Sequence, residues 1–279
     1  MRGFPSLVGG ELLKIRRQPV NWSLSLIVLA AVMLVALLSS GGGRQAGDPD
    51  GFARAVLDPL TVTLQVGVGI PLLVLSVRVI GQEYQLGTVR VLVARGTGRV
   101  RLLLAKLAAL CIAAAATALV TGAMTFCALW LVEPDAFQAP AAAASAISRD
   151  AGLNLLAVGL SLTACALLGV CVATLGRSIA FGLGLALVWF PVDNIALLVL
   201  PALSVFTRMP LWDGVAPYLL GGNLNTMVQA LEPGRRAVAF LVSPEPQVDG
   251  QHAVLVVAAY LAAFLAASLL LTWHRDIHH

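Results

Sequence analysis

The sequence predicts an all-α integral membrane protein with six membrane-spanning helices. Only 11% of its 279 residues are charged, 59% are hydrophobic, and the mean hydropathy is +0.90. A soluble domain has about 25% charged residues, because it needs a polar surface. Several windows are longer than the roughly 18 apolar residues that indicate a span. The Lys and Arg residues are also distributed unevenly among the connections, which is typical of membrane proteins.

The whole chain is predicted to be one transmembrane domain. Its six spans are runs of mainly apolar residues at 22–40, 60–80, 102–132, 153–175, 179–206 and 253–273. The third and fifth are longer than the roughly 20 residues a bilayer needs, so we expect them to tilt, protrude or break. Since no small-residue cleavage site follows the first span, we interpret it as a retained helix rather than a signal peptide.

The positive charge predicts that both chain ends lie on the inner side of the membrane. With this topology the inner segments hold 12 of the 18 basic residues and three acids, a net charge of +9. The outer segments hold six basic residues and ten acids, a net charge of −4. Inner connections of membrane proteins are enriched in Lys and Arg, so this asymmetry sets the orientation.

Two segments outside the spans are apolar enough to form helices at the membrane. Residues 1–21 predict an interfacial helix, because apolar side chains alternate with the charged residues Glu11, Lys14 and Arg16. Residues 207–252 form the longest outer segment. This segment contains LWDGVAPYLLGGNLNTMVQAL, which predicts a short helix against the membrane or a re-entrant element.

Enzyme signatures are missing from the sequence. It has no G-x-x-x-x-G-K-[ST] phosphate loop, no H-E-x-x-H zinc helix and no G-x-S-x-G nucleophile turn. His274 and His278, with His279 beside them, have helical metal-ligand spacing, but a solvated tail or tag edge is the simpler interpretation. The four cysteines lie in apolar stretches without metal-type spacing, and we interpret them as buried free thiols. We therefore expect no catalytic residue, metal or cofactor in this chain.

The densest charge lies between spans two and three, in RVIGQEYQLGTVRVLVARGTGRVRLLLAK, residues 78–106. A phosphate cradle is disfavoured because no strand precedes the glycines, and nucleic-acid binding is disfavoured because Tyr84 is the only nearby aromatic residue. Positive charges that merely hold a hairpin at the inner leaflet would explain why the net charge of this stretch is positive. They would not explain the order of an acid, Gly-Thr, a Leu-rich helix, a small turn ending in Arg, and then Lys.

That order resembles the permease subunits of ATP-binding-cassette (ABC) transporters of the type-2, exporter-like class. The residues that carry the resemblance are Glu83, Gly87, Thr88, Arg95, Arg99 and Lys106. The family more often has a hydroxyl residue directly before the Arg, whereas here Gly98 precedes Arg99. Glu11 and Lys14 also match the family's amphipathic first segment, and Arg275-Asp276-Ile277 matches its basic-Asp-apolar tail.

The resemblance implies that residues 81–99 are a coupling segment that fits a groove in a separate ATPase. A coupling helix is expected at 81–95, with Glu83 and Tyr84 near its start, where an acid complements the helix dipole. Gly96 and Gly98 would end this helix, and Lys106 is expected to snorkel to lipid headgroups. The expected ATPase-coupling residues are Glu83, Tyr84, Gly87, Thr88, Arg90, Arg95 and Arg99.

A few polar residues lie within the predicted spans, where they are costly and often functional. Asp193 and Asn194 follow Pro191 near the middle of the fifth span. Asp193 is either a substrate-path carboxylate or, if Pro191 breaks the helix, the cap of a second helix from Asn194 to Leu203. Gln65 and Asn154 are candidates for the same path, although interhelical hydrogen bonding is the favoured role for each.

The leading hypothesis is the permease of an ATP-driven exporter of hydrophobic, amphipathic or peptide-like compounds in a bacterial plasma membrane. Its expected partners are two ABC ATPase subunits that hold ATP and Mg, a second permease copy or homologue, and membrane lipid, with no nucleic acid. The alternatives are a secondary transporter that uses Asp193 and a membrane scaffold that recruits a cytosolic protein. Secondary transporters usually carry several intramembrane charges, whereas here only one acid lies deep in a span. No residue identifies the substrate.

Overall fold

The structure is a computed structural model that describes residues 3–18, 57, 59–88, 98–132, 141–209, 211–231 and 249–274, and six further positions between 23 and 34. Side chains are not described at 132, 141–150, 194 and 198. The predicted first span, 22–40, therefore lies mostly outside the described residues. Its six described positions are all helical.

Every element of regular structure within these ranges is a helix. In chain order the helices are α1 (Phe4–Arg16), α2 (Pro59–Gln85), α3 (Arg99–Val132), α4 (Ala141–Gly176), α5 (Ile179–Thr207), α6 (Leu211–Val215), α7 (Leu220–Leu231) and α8 (Gly250–His274). Residues Thr63–Val68 of α2 form a π-helix, and Ala216–Tyr218 form a 3-10 turn between α6 and α7. The all-α prediction is confirmed for the described residues.

Within the described residues, five helices are long and apolar enough to cross a membrane. They are α2, α3, the Ala151–Gly176 part of α4, the Ile179–Leu197 part of α5, and α8. These five coincide with five of the six predicted spans. The chain is therefore a multi-pass membrane protein.

Helices α2 and α4 lie at the centre of the bundle, and α4 also contacts α5, α7 and α8. In the most apolar stretches of α2 and α4, 72% and 67% of the residues are buried inside the bundle, whereas in α8 the share is 11%. The two central helices approach closely at Gly169, where a Cβ atom would lie 2.8 Å from the carbonyl oxygen of Leu73. Only a glycine allows the two backbones to come so near.

The turn from α4 to α5 consists of Arg177 and Ser178 only, with Arg177 in the left-handed region at a φ of 50°. Helix α5 then continues without interruption to Thr207, with Pro191 inside it. The alternative in which Pro191 breaks this helix and a second helix begins at Asn194 is therefore wrong. Neighbouring helices stabilise a proline-containing span by re-satisfying the freed backbone groups, so a proline there need not end it.

After α5 the chain turns back into the bundle. Helix α7 packs against α4, α5 and α8, and its buried residues include Leu220, Leu224 and Met227. The first turn of α7 lies beside Asp193, which is fourteen residues into α5, or about 21 Å along the axis at 1.5 Å per residue. Tyr260, whose hydroxyl bonds the carbonyl of Tyr218, lies fourteen residues before the end of α8. Asp193 lies four residues before the end of the apolar Ile179–Leu197 stretch, and Tyr260 lies ten residues into α8, so the start of α7 packs against two candidate spans. This packing favours the re-entrant prediction.

Candidate functional site

Four charged side chains form a network at the end of the bundle where α1 lies. Lys106 Nζ lies 2.9 Å from Glu11 Oε2 and 2.8 Å from Glu83 Oε1. Lys14 Nζ lies 2.7 Å from Glu11 Oε1 and 2.9 Å from the same Glu83 oxygen. Two carboxylates thus alternate with two ammonium groups, so the formal charges cancel. We call these four residues the ion network.

Three members of the ion network are buried. Glu11, Glu83 and Lys106 are 4%, 7% and 3% exposed, whereas the side chain of Lys14 is 51% exposed. The expectation that Lys106 snorkels to lipid headgroups is therefore wrong. Its ammonium group is enclosed by two carboxylates and also lies 3.4 Å from the carbonyl oxygen of Val79. Buried charges are retained only when they are paired and hydrogen-bonded in this way.

The electrostatics of α1 follow from this geometry. Burial by itself would raise the pKa of Glu11, but Lys106 and the hydrogen bonds from both lysines outweigh it and hold that pKa below its usual range. Burial would lower the pKa of Lys14, and its hydrogen bonds to Glu11 and Glu83 outweigh that effect and raise it. Both groups are therefore held in their charged forms.

The ion network joins three elements that are far apart in sequence. Glu11 and Lys14 belong to α1, Glu83 to the last turn of α2, and Lys106 to the second turn of α3. The interfacial-helix prediction counted Glu11 among the charged residues that alternate with apolar ones along α1. In the structure Glu11 is buried beside Ile15, because its partner Lys106 lies on the apolar side of α1.

The coupling-helix prediction is wrong about where its first residues lie. Glu83 and Tyr84 are in the last turn of α2, which continues to Gln85, rather than at the start of a new helix. Leu86 and Gly87 form the turn after this helix, where Leu86 N and Gly87 N donate hydrogen bonds to Gln82 O and Tyr84 O and the φ of 65° at Gly87 favours glycine. Gly87 therefore lies in the turn that follows α2, within the range where the coupling helix was expected to continue.

The remaining predicted coupling residues are partly described. Thr88 Oγ1 lies 3.4 Å from the carbonyl oxygen of Glu83, and Arg99 is the first residue of α3. Arg16 is exposed in the last turn of α1. Arg90, Arg95 and the 89–95 part of the expected coupling helix lie outside the described residues, as does His278. The part of the chain that the structure describes holds no cluster of three or more potential metal ligands.

Asp193 does cap a helix, although not the predicted one. Its carboxylate accepts a hydrogen bond from the backbone N–H of Gly221 and interacts with that of Leu220, in the first turn of α7. The first four N–H groups of a helix have no partner within it, and an acid there also complements the helix dipole. Asp193 therefore fixes the start of α7 against α5. The side chain of Asn194 lies outside the described residues.

Gln65 and Asp193, two of the predicted path residues, line the same cleft. This partly open cleft lies between α2, α4, α5 and α7 and is mainly apolar, with walls that include Leu73, Leu168 and Leu224. Asn154 is not part of it. Its Oδ1 instead accepts a 3.0 Å hydrogen bond from Thr61 Oγ1, the interhelical role favoured for it.

The sequence reasoning missed three polar residues of the cleft, Ser161, Trp189 and Asn225. The indole Nε1 of Trp189 is enclosed and has no hydrogen-bond partner among the described residues. A tryptophan within an apolar span gives no signal by itself. Its position four residues before Asp193 does give a signal, because residues four apart on a helix share a face.

A comparison with protein families finds a match to the ABC-2 family transporter proteins over residues 7–193. This range contains the whole ion network and ends at Asp193. A search of curated proteins finds no match to the chain. Permeases of this family are generally non-catalytic membrane subunits that associate with ABC ATPase subunits. Since the match covers about two thirds of the 279 residues, the chain belongs to the ABC-2 transporter family, as a permease subunit.

Proposed function

We propose that this permease exports hydrophobic, amphipathic or peptide-like compounds across a bacterial plasma membrane, driven by two separate ATPase subunits that bind ATP and Mg. Six spans place both chain ends on the inner side, and a second permease copy or homologue completes the transporter. The substrate class and the direction follow from the resemblance described above. The charge asymmetry between the two sets of connections supports the orientation.

The ion network is the observation that carries the proposal. It lies at the inner end, where it ties the amphipathic helix α1 to the end of α2 and the start of α3. A force on the segment between α2 and α3 therefore acts on three elements together. Glu83 contributes to coupling through this network, because its carboxylate faces Lys14 and Lys106 rather than solvent.

Direct contact with the ATPase falls to the residues after Glu83. Leu86 is 75% exposed directly before the turn at Gly87. An apolar side chain so exposed at a helix end, next to basic sequence, suits the groove of a soluble partner. Arg90, Arg95 and Arg99 supply the charges of that contact.

The cleft supports a substrate path through the bundle. It combines apolar walls with a few polar groups, the usual composition of a small-molecule site. The hydrogen bond that Asp193 accepts from the first turn of α7 counts against a secondary transporter that uses this acid as a free ion site.

The experiment is purification of the natively expressed chain, followed by reconstitution. We expect an ATPase with a Walker A motif to co-purify, and Glu83→Ala together with Arg90→Ala to leave ATP hydrolysis largely intact while transport falls. Unaltered transport in this double variant would remove both residues from coupling. A chain that transports without any ATPase would refute the proposal.

A further inference from the structure

Helix α2 contains a wide turn, the π-helical residues Thr63–Val68, between two regular α-helical parts. In a π-helix each N–H bonds the carbonyl five residues earlier instead of four, so the turn holds one extra residue, and such turns are frequent at functional sites. Pro71 follows three residues later and lacks the N–H that would bond the carbonyl of Gly67. The backbone hydrogen bonding of α2 is therefore weakened between Thr63 and Pro71.

The hydroxyl of Thr63 has no hydrogen-bond partner among the described residues, although this residue is fully buried. Elsewhere in the described helices, Ser and Thr hydroxyls bond the carbonyl oxygen four residues earlier, at Ser76, Thr117, Thr163, Thr174, Thr207, Thr226, Ser268 and Thr272. Thr125 also lacks a partner, and it lies on the facing helix α3, three residues from Gly122, which approaches Leu64 of the wide turn. Buried hydroxyls without partners destabilise the state that contains them, so this crossing of α2 and α3 is strained.

The two parts of α2 are held unequally against α4. Inward of the wide turn, a Cβ atom at Gly169 would lie 2.8 Å from both the carbonyl oxygen of Leu73 and the Cβ of Ser76, so the two helices interlock there. Outward of the wide turn, α2 is tied to α4 by a hydrogen bond of 3.0 Å from Thr61 to Asn154. A single hydrogen bond is broken more easily than close backbone packing is displaced. The outer part of α2 is therefore the part that can turn.

We propose that Thr63–Val68 is a hinge in α2. The inner part of α2 moves as a unit with the ion network, which it joins at Glu83, fifteen residues after the hinge. The wide turn then shifts outward along the helix, and each residue it passes turns by about 100°, the angle between successive residues of an α-helix. Thr61 thereby leaves Asn154, and the movement reaches the cleft wall at Gln65. The inference rests on the proposed function only for the force, which the ATPase supplies.

Deletion of Val66 tests the hinge itself. Since a π turn is an α turn with one residue added, the deletion leaves a regular helix and keeps the residues on both sides on their present faces. Hydrogen exchange is measured on the full-length permease in lipid nanodiscs without ATPase. We expect the amides of residues 63–68 to exchange about fivefold faster than those of 73–80, the effect of one net hydrogen bond, and the deletion to remove this difference.

Equal exchange in the two parts of the native α2 would overturn the inference. If the deletion lowers the thermal midpoint, Pro71→Ala replaces it, because alanine restores the missing N–H donor and should also slow the exchange of residues 63–68. Unchanged exchange in a stable Pro71→Ala variant would count equally against the hinge.

Cysteine crosslinking tests the movement in the permease with its ATPase. The outer pair is Thr61→Cys with Asn154→Cys, in a chain whose four native cysteines are replaced by alanine. The inner pair is the matched control on the same two helices, Gly69→Cys with the native Cys165, whose Sγ lies 3.4 Å from a Cβ at position 69. A methylene-bridged bis-thiosulfonate links either pair.

We expect ATP with vanadate to slow crosslinking of the outer pair and to leave the inner pair unchanged. After deletion of Val66, ATP should no longer affect the outer pair. Slowing of both pairs, or slowing of the outer pair that persists after the deletion, would overturn the inference, because the wide turn would not be the point of movement. Fast exchange of residues 63–68 with crosslinking that never responds to ATP would refute the drive by an ATPase, and so the proposed function alone.

Discussion

Lys106 is the residue at which the ion network can be tested most severely. Its ammonium group is 3% exposed and lies within 2.9 Å of two carboxylates. Lys106→Met keeps a similar side-chain length but leaves a net charge of −1 among the four positions. Removing one partner of a buried ion pair costs about 3–5 kcal/mol, because the remaining charge is uncompensated.

The measurement is the thermal unfolding midpoint of the purified permease in detergent. A loss of 3–5 kcal/mol corresponds to a fall of about 10 °C for a chain of this size. Lys14→Met is the matched control, because it removes the same chemical group from the same network at a half-exposed position. We expect Lys14→Met to lower the free energy of unfolding by about 1 kcal/mol or less, since water can replace the lost ammonium group at this half-exposed position.

A rescue variant separates charge from packing. Adding Glu11→Gln and Glu83→Gln to Lys106→Met removes the uncompensated carboxylates, and we expect most of the lost stability to return. The reasoning is refuted if Lys106→Met costs no more than Lys14→Met, or if the triple variant is less stable than Lys106→Met. Salt at 0.5 M should not reproduce the effect, because buried pairs are screened far less than exposed ones.

Three further predictions concern packing, the cap of α7 and pH. Gly169→Ala should lower the free energy of unfolding by about 1–3 kcal/mol, because the added methyl group meets the backbone of Leu73. Gly159→Ala on the same helix is the control, since its methyl group would meet nothing within 4 Å and should leave stability unchanged. Equal unfolding midpoints for the two variants would contradict this prediction. Asp193→Ala should make α7 susceptible to protease in nanodiscs, because the cap of the helix is lost. Asp193→Asn should largely protect α7, since its amide oxygen can still accept the hydrogen bond from the Gly221 N–H. Identical digestion of the two variants would contradict the capping role. Because the pKa of Glu11 is lowered in the folded protein, its contribution to stability is present above its ordinary value of 4.5 and is lost as the pH falls through the lowered value. Unfolding midpoints between pH 3 and 7 should therefore converge for the native chain and Glu11→Gln at the acid end, and a constant difference would count against the assignment.

The class of the fold and five of its spans could be predicted because hydropathy depends on single residues and local windows. The start of α3 next to Gly98 fits the expectation that glycines separate the helices there. Helix α7 was anticipated as a short apolar element after the fifth span. These features depend on residues that are close together in sequence.

The pairing of charges could not be predicted in this way. Glu11 and Lys106 are 95 positions apart, and no local pattern shows that they meet. The snorkelling of Lys106 was the reasonable expectation for a lysine near a span end, and it is wrong because α1 brings a carboxylate to it. Asp193 was recognised as a possible cap, but its partner is 28 positions away on a helix that folds back into the bundle.

The central claim is that the inner end of this permease is moved by a separate ATPase. A photo-crosslinking amino acid in place of Leu86 tests this claim directly. The control position is Leu119, whose side chain is also 75% exposed but lies about 30 Å along α3 from the start of that helix. The account predicts a crosslink from position 86 to a Walker A ATPase whose yield changes with ATP, and none from position 119. Equal crosslinking from both positions, or none from position 86 in cells that carry out transport, would contradict it.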